Sequence, residues 1–315
     1  MTAVPGLSCS LPVAAYNPDL HGAFVNFPAA HFHDDGVESQ LVYTDSNRLE
    51  VTVSKPVLDG RWPGPVWDWQ AHRWVPAMNP EVVSPDGSAY VYPQDNGTGG
   101  PIPVTRLRIV TVSTGHDRLL SSGGTSDYPL AWTKDGIYVV ALNFEASTSG
   151  LWLINPATGA ERVITKSGGW YAVSNGAAWG FIGFACTNEN FPDLPRRIDR
   201  LNLATGKVTN WYSVGAGHDV HVAAVDLAGR PIIVVDQYHV FRLIGPNQAQ
   251  PMFNSPVRIW DRQLMQVDSH GLWFTVPDII DSGIYPSSVW FYSDTAGLHR
   301  LQTGQTIVAI EGACR

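Results

Sequence analysis

Short apolar runs alternate along the chain with polar turns that contain a glycine. The stretch DLAGRPIIVVDQ at 226–237 opens with a tight turn, which the apolar residues 222–225 precede and the β-branched run 232–235 follows. This pattern predicts two antiparallel strands joined by a hairpin. No window keeps a 3.6-residue apolar period for three turns, so we expect strands and no long helix.

The same hairpin pattern occurs six times. The other five copies centre on Gly22, Gly87, Gly136, Gly176 and Gly271, and successive copies lie 40 to 65 residues apart. A second turn series accompanies them, as in NPATG at 155–159. A repeat of roughly 40–50 residues made only of strands is typical of a β-propeller. We therefore predict an all-β fold, a six-bladed β-propeller of four-stranded antiparallel blades, with seven blades as the alternative.

The repeats cover the whole chain, so we predict a single β-propeller domain over 1–315 with an insertion at about 28–64 in the first blade. In that blade, residues 11–16 are expected to form the innermost strand and 22–27 the second. The third and fourth strands are expected at 66–69 and 74–78. Residues 306–311 are expected to form the outermost strand of the last blade.

Composition limits the partners. Charged residues are 15% of the chain and the net charge is −8, whereas roughly 25% of an average domain is charged. The acidic balance argues against nucleic acid or an anionic membrane and permits a cationic ligand or a divalent metal. No apolar run reaches the roughly 18–20 residues of a membrane span. The chain opens without a signal-peptide pattern, as expected of a trimmed, mature protein, and we expect a monomer.

Connection lengths indicate which end of the blades is functional. If the strands of a blade are named A to D in chain order, the A–B and C–D turns lie at one end and the B–C and D–A connections at the other. The A–B and C–D turns are minimal, whereas the long connections are of the B–C type, at 28–64, 94–104, 143–150, 186–197 and 277–296. Because functional residues concentrate on loops, we predict a site on this B–C/D–A face.

The sequence GHDVH at 217–221 precedes the first strand of the fifth blade. His218, Asp219 and His221 are the catalytic candidates, because imidazoles at the channel mouth could move a proton or bind a metal. The favoured alternative is structural, with the imidazole bonded to a turn. The tripeptide GHD also occurs at 115–117, in a different part of a blade.

His31, His33 and Asp35 are candidate metal ligands. Alternate spacing in an extended strand places them on one side, and two imidazoles with a carboxylate suit zinc or a similar metal. The favoured alternative is a polar strand edge, because H-x-H alone is a weak signal. Apart from this divalent metal we expect no cofactor.

Aromatic and acidic residues are expected on the B–C/D–A face. Aromatic rings beside carboxylates suit sugars or a cationic peptide, and the candidate ligand-binding residues are Trp62, Trp170, Tyr171, Tyr285 and Asp278. The favoured alternative is that Trp170 packs between neighbouring blades.

Two segments carry a family resemblance. SPDG at 84–87 before an apolar strand, and LWLINPATG at 151–159 leading to ERVIT at 161–165, resemble the TolB-like or WD40-like propeller repeats of bacterial secreted proteins. GLWFTVPD at 271–278 is similar to repeats of streptogramin lyase-like propellers. These resemblances imply a propeller architecture, which scaffolds and enzymes share.

The chain has no nucleophile elbow, phosphate loop or serine with an identifiable His–Asp pair. The sequence therefore favours a secreted, non-catalytic propeller that binds a protein, a peptide, a glycan or another small ligand on the B–C/D–A face. One alternative is a lyase or hydrolase with a site at the channel mouth, acting with or without a metal ion. The other is a carbohydrate-binding propeller.

The three cysteines predict one disulfide. Cys9 comes just before the first predicted strand and Cys314 just after the last, in blades that are neighbours in a closed ring. An inner and an outer strand are roughly 14 Å apart. The residues between the last predicted strand and Cys314 span up to about 10 Å when extended, and a disulfide adds about 4–7 Å between Cα atoms, so the two cysteines can reach each other. We predict a Cys9–Cys314 bond with Cys186 free, and hence an extracellular or periplasmic protein. The alternative is three unpaired cysteines in a cytoplasmic protein.

Overall fold

The structure is a computed structural model of the 315-residue chain. It describes residues 6–16, 20–35, 66–75, 77, 79–95, 105–121, 126–142, 148–182, 196–259, 265–277, 287–301, 305 and 307–315. Within these ranges the chain forms strands and one short 3-10 helix, Pro80–Val82. No helix in the described part is long and apolar enough to cross a membrane.

The strands are short, and most of them contain four to seven residues. In chain order they are β1 Ser10–Tyr16, β2 Leu20–Asn26, β3 His31–Asp34, β4 Val66–Asp68, β5 Arg73–Val75, β6 Ala89–Asp95, β7 Thr105–Thr111, β8 Asp117–Ser121, β9 Ser126–Thr133, β10 Gly136–Leu142, β11 Thr148–Ile154, β12 Glu161–Thr165, β13 Gly169–Ser174, β14 Ala177–Phe181, β15 Arg197–Asn202, β16 Val208–Ser213, β17 Val220–Val225, β18 Pro231–Val235, β19 His239–Gly245, β20 Gln248–Asn254, β21 Gln266–Val267, β22 Leu272–Pro277, β23 Ser287–Ser293, β24 Gly297–Leu301 and β25 Ile307–Ile310.

The chain forms two compact units, which are described separately. Unit 1 comprises Met1–Pro80 and Arg262–Arg315, and unit 2 comprises Glu81–Asp261. The expectation of a single domain over 1–315 stays a prediction.

Unit 2 contains four antiparallel sheets. Three of them run in simple chain order, β9 to β12, β13 to β16 and β17 to β20. The fourth consists of β6, β7 and β8, and Val83 adds an isolated antiparallel bridge to Tyr90 of β6. Burial falls across a sheet: β18 is buried throughout, whereas most of β20 is exposed or half-buried. This gradient explains why the first two strands of each repeat carry the apolar signal.

The predicted hairpin at 226–237 forms as β17, a turn and β18. In its turn the Asp226 carboxylate accepts hydrogen bonds from the backbone N–H groups of Ala228 and Arg230, at 3.0 and 2.9 Å. Gly229 has φ 81°, and an added Cβ would lie 2.2 Å from Asn175 Nδ2 in the preceding sheet. Both the backbone angle and the close approach require glycine there.

Unit 1 contains two four-stranded sheets and a separate hairpin. One sheet runs in chain order from β21 to β24, and the other has the order β25-β1-β2-β3. Together with unit 2, the described residues therefore form six blades. The fold class is an all-β six-bladed β-propeller of four-stranded antiparallel blades, as predicted.

The first blade differs from its predicted strand order. β25 is its first strand, so residues 11–16 are not the innermost strand and 306–311 are not the outermost strand of the last blade. β3 is the fourth strand and lies within the predicted insertion at 28–64, whose residues 36–64 lie outside the described part. The sequence did not predict β3 because it is a mostly exposed outer strand, so its residues lack the run of apolar side chains that marks a buried strand.

The segments predicted as third and fourth strands form a two-stranded hairpin of their own, β4 with β5. This hairpin packs its tryptophans around Phe24, with Trp67 and Trp74 ring centroids 4.9 and 5.3 Å from the phenyl ring. The backbone N–H of Trp67 donates to Glu311 O at 2.9 Å. The hairpin thus covers the first blade, where it buries aromatic surface.

The predicted disulfide between Cys9 and Cys314 forms, with Cα atoms 5.5 Å apart. The route differs from the predicted one, because the cysteines extend neighbouring strands β1 and β25. Beside the bond, Ser10 N–H donates to Arg315 O at 2.7 Å and Glu311 N–H donates to Pro12 O at 2.9 Å. The disulfide therefore joins adjacent antiparallel segments and spans no gap between an inner and an outer strand. Cys186 lies outside the described residues.

Asp268 ties the last blade to the disulfide. Its Oδ2 accepts hydrogen bonds from Cys314 N–H at 2.7 Å and from Trp273 Nε1–H at 2.8 Å. Its Oδ1 accepts from the backbone of His270 and Gly271 at 2.8 and 3.2 Å. Four donors on a buried carboxylate offset the desolvation of its charge.

We expect that removing the disulfide lowers stability. The bond encloses a loop with a sequence separation of 305, for which the chain-entropy model gives about 5 kcal/mol. The double variant Cys9→Ala/Cys314→Ala should therefore lose up to about 5 kcal/mol of unfolding free energy in urea denaturation. Cys186→Ala is the control and should leave the free energy nearly unchanged. Equal stability of the double variant and the wild type, or free thiols at both positions in peptide maps, would contradict this account.

Candidate functional site

The candidate site lies at the B–C/D–A end of the β17–β20 sheet in unit 2. Three connections meet there: residues 215–219 lead into β17, residues 236–238 join β18 to β19, and residues 255–259 follow β20. We define the histidine patch as His218, Asp236, Tyr238, His239, Asn254 and Arg258. It lies on the B–C/D–A face, and a functional role for that face stays a prediction.

The turn between β18 and β19 is conformationally unusual. Asp236 has φ 50° and Gln237 has φ 65°, and Tyr238 N–H closes the turn on Val235 O at 3.2 Å. Turns with positive φ at both central positions normally use Asn-Gly or Asp-Gly. Aspartate adopts this region more readily than most residues, but for a residue such as Gln237 it costs on the order of 1–2 kcal/mol, and such strain concentrates at functional sites.

Bonds to both neighbouring connections hold this turn in place. Asp236 N–H donates to Asp219 O at 3.1 Å, and Asp236 Oδ1 accepts from Asp219 N–H at 3.2 Å. Gln237 O accepts from Ile259 N–H at 2.8 Å, while Gln237 Oε1 accepts from Arg258 Nε–H. The turn is therefore fixed from two sides.

Asp236 also orients His218. Its Oδ2 lies 2.6 Å from His218 Nδ1. An ionised carboxylate only accepts hydrogen bonds, so Nδ1 carries the proton and Nε2 is left for another partner. The His218 side chain is 56% exposed. An imidazole oriented by a carboxylate in this way serves in acid–base catalysis and in metal binding alike.

The electrostatics of Asp236 reflect these contacts. Burial raises its pKa, but the hydrogen bonds from His218 and from the Asp219 N–H, with the nearby charges of His218 and His239, lower the pKa below the ordinary value of 3.8. The carboxylate therefore stays ionised well into the acidic range.

His239 is held in the same manner as His218. Its Nδ1 lies 2.9 Å from Asn254 Oδ1, an acceptor, so Nδ1 is the donor here too. His239 is exposed at the start of β19, and the neighbouring Tyr238 is 42% exposed. The patch thus combines two oriented imidazoles with an exposed aromatic ring.

The three predicted catalytic residues lie in different surroundings. His221 lies in buried β17 and is 5% exposed, and Asp219 contributes backbone bonds to the turn. The partner of His218 is Asp236, which sequence reasoning missed. A catalytic role for the trio stays a prediction. The structural alternative, an imidazole bonded to a turn, describes the contact that His218 makes.

The predicted metal ligands lie on unit 1. His31 and His33 are exposed on β3 and pair across the strands with Asn26 and Phe24. Asp35 accepts a hydrogen bond from Trp74 Nε1–H at 2.7 Å. Among the described residues no group of three or more His, Cys, Asp or Glu side chains could hold a metal ion. Metal binding therefore stays a prediction for which the structure offers no ligand set.

Two of the predicted ligand-binding residues lie in the described part of unit 2. Trp170 is 0% exposed and donates from Nε1 to Ser167 O at 3.0 Å, so it is a core residue. Tyr171 is half-buried, and its ring stacks on Phe181 with centroids 5.6 Å apart. Trp62, Tyr285 and Asp278 lie outside the described residues.

Comparisons with known proteins found similar structures at low sequence identity. No family model and no curated protein matches the chain. It is similar to an oligogalacturonate lyase in complex with manganese, with 12% identity over 69% of this chain and 62% of that chain and a TM-score of 0.49. It is similar to TolB from Acinetobacter baumannii, with 14% identity over 90% of this chain and 65% of that chain and a TM-score of 0.45.

A prolyl endopeptidase is also similar, with 12% identity over 92% of this chain and 40% of that chain and a TM-score of 0.49. The chain spans less than two thirds of the length of each of these three proteins. TolB, whose repeats the sequence resembles, is thus one of the structures to which the chain is similar.

The Asp236 contacts predict a specific pH dependence. A carboxyl group with a lowered folded-state pKa stabilises the protein above its unfolded value, 3.8, and that stability is lost as the pH falls through the lower folded value. Asp236→Asn should therefore lower the unfolding free energy at neutral pH, and its difference from the wild type should shrink below pH 3.8. Urea denaturation across this range measures both quantities.

His218→Ala is the companion variant. It removes the hydrogen bond that lowers the pKa of Asp236, so the loss of stability in acid should begin at higher pH than in the wild type. A difference between Asp236→Asn and the wild type that is the same at every pH would show that these contacts do not stabilise the ionised carboxylate.

Proposed function

We propose that the protein is an exported, non-catalytic β-propeller that binds a protein, a peptide or a glycan through the histidine patch. The observation that carries this proposal is the Asp236–Gln237 turn, in which two non-glycine residues at positive φ are bonded to both neighbouring connections. A surface fixed before binding loses little conformational entropy when the ligand arrives, and this favours affinity.

The chemistry of the patch supports the same proposal. Tyrosine and arginine are enriched in the energetically important part of binding surfaces, and Tyr238 and Arg258 are both exposed here.

The opposite end of the same sheet offers a comparison surface. There the exposed Leu227 lies between Asp226 and the exposed Ala228. A single exposed apolar residue of that kind is ordinary protein surface.

The disulfide supports export to an extracellular or periplasmic compartment. Cys9 and Cys314 are bonded and buried, and structural disulfides persist in oxidising compartments. We further propose that the protein acts as a monomer, which sedimentation analysis measures.

A second candidate function is acid–base catalysis, and the His218–Asp236 pair is the observation that favours it. In a lyase or hydrolase, His218 Nε2 would take a proton from the substrate while Asp236 holds the imidazolium in place. Asp236 would then be a positioning residue and His218 a catalytic one.

A selection experiment tests the binding proposal. Peptide and glycan libraries are selected on the immobilised wild type and counter-selected on the double variant His218→Ala/Tyr238→Ala. We expect ligands that the wild type retains and the double variant loses, by about tenfold or more in affinity, because an aromatic contact and a hydrogen bond are both removed.

The matched control is Leu227→Ala, at the opposite end of the same sheet, which should bind the selected ligands as the wild type does. Ligands whose affinity falls in Leu227→Ala but not in the histidine-patch variant would overturn the proposed site. Turnover of a selected ligand that disappears in His218→Ala would replace the binding proposal with the catalytic one.

A further inference from the structure

We infer that the histidine patch binds a saccharide. The ring of Tyr238 packs against a sugar face, and the Nε2 atoms of His218 and His239 accept hydrogen bonds from sugar hydroxyls. This inference rests on the proposed function, since it names the ligand class of the same site.

Contacts with one carboxylate place the two imidazoles near each other. His218 Nδ1 lies 2.6 Å from Asp236 Oδ2, and His239 is close enough for its charge to act on the same carboxylate. Val235 pairs with His239, so Asp236 and His239 belong to a single turn between β18 and β19. Both imidazoles therefore lie at the same end of the β17–β20 sheet.

The spacing of the two imidazoles suits an extended ligand. They come from the segment before β17 and from β19, which are two strand spacings apart, roughly 10 Å. A ligand that contacts both imidazoles must therefore extend over roughly this distance, as a sugar ring with its substituents does.

The hydrogen bonds inside the patch fix what each imidazole offers. Both rings donate from Nδ1, to Asp236 at 2.6 Å and to Asn254 at 2.9 Å. A neutral imidazole has one proton, so both Nε2 atoms present a lone pair outward and act as acceptors. Sugar hydroxyls are donors and match them, whereas carboxylates and phosphates are acceptors and do not.

Tyr238 supplies the apolar part of the site. It is 42% exposed, although Tyr238 N–H and Tyr238 O are bonded to Val235 and Ser255 at 3.2 and 2.7 Å. Its backbone is therefore fixed while its ring meets solvent. An aromatic face beside a few well-placed polar groups is the usual composition of a small-ligand site.

Calorimetric titration of the intact protein with neutral gluco-, manno-, galacto- and xylo-oligosaccharides at neutral pH tests the inference. We expect at least one of these probes to bind, and Tyr238→Ala to weaken it by about tenfold. His218→Ala and His239→Ala should each weaken it by about threefold to tenfold, the effect of one hydrogen bond. Tyr238→Phe keeps the ring and should stay within about twofold of the wild type.

His116→Ala is the matched histidine control. It removes the histidine of the second GHD tripeptide, in the turn between β7 and β8, and should not change the affinity. Unfolding temperatures of all variants, measured alongside, should identify any variant that has lost its fold.

The outcomes separate this inference from the proposed function. If none of the oligosaccharides binds the wild type while a selected peptide needs the histidine patch, the saccharide inference is wrong and the binding function stands. If an oligosaccharide binds the wild type and all patch variants equally, the histidine patch is not the site, and both the inference and the proposed site fail.

Discussion

The pairing of β25 with β1 is the constraint on which the first blade depends. A strand from the end of the chain completes a sheet that begins with Ser10, and the Cys9–Cys314 bond fixes the two segments beside each other. Asp268 adds a polar tie from the last blade to Cys314. Without this pairing, β1 would be left with a row of unpaired backbone groups, and such an edge promotes association with other chains.

A second constraint acts on a much smaller scale in unit 2. The turn at Asp236 and Gln237 is held in a conformation that glycine would adopt more easily. The contacts that hold it are the ones that orient His218 and position Arg258. Backbone strain, side-chain orientation and exposure of Tyr238 therefore arise from a single piece of local structure, and this coupling is why we assign the function to it.

The sequence predicted the elements that leave an apolar or covalent signal. Hairpins around glycines, such as Gly229, and the Cys9–Cys314 bond belong to this group. The prediction from sequence failed where such a signal is absent. β3 is an outer strand and is polar, and the position of β25 beside β1 depends on long-range pairing. The residues of β25 alone do not show whether it completes the first blade or the last blade.

The candidate site was predicted in part for the same reason. Connection lengths led to the prediction of the B–C/D–A face, where the histidine patch lies, and GHDVH indicated His218. Asp236 was missed because its contact with His218 arises from the pairing of β17 with β18, not from sequence spacing. Trp170 was named because tryptophan suits a ligand platform, yet the same large apolar surface makes it a core residue.

The central claim is that His218 and His239 are held through Nδ1 and present Nε2 outward. Nitrogen-15 NMR of labelled histidine measures this directly, because the shifts of the two ring nitrogens distinguish which one carries the proton, and His218→Ala and His239→Ala assign the signals. The account predicts the Nδ1–H form for both neutral rings, with the His218 ring redistributing between forms in Asp236→Asn. The Nε2–H form for both rings in the wild type would contradict it.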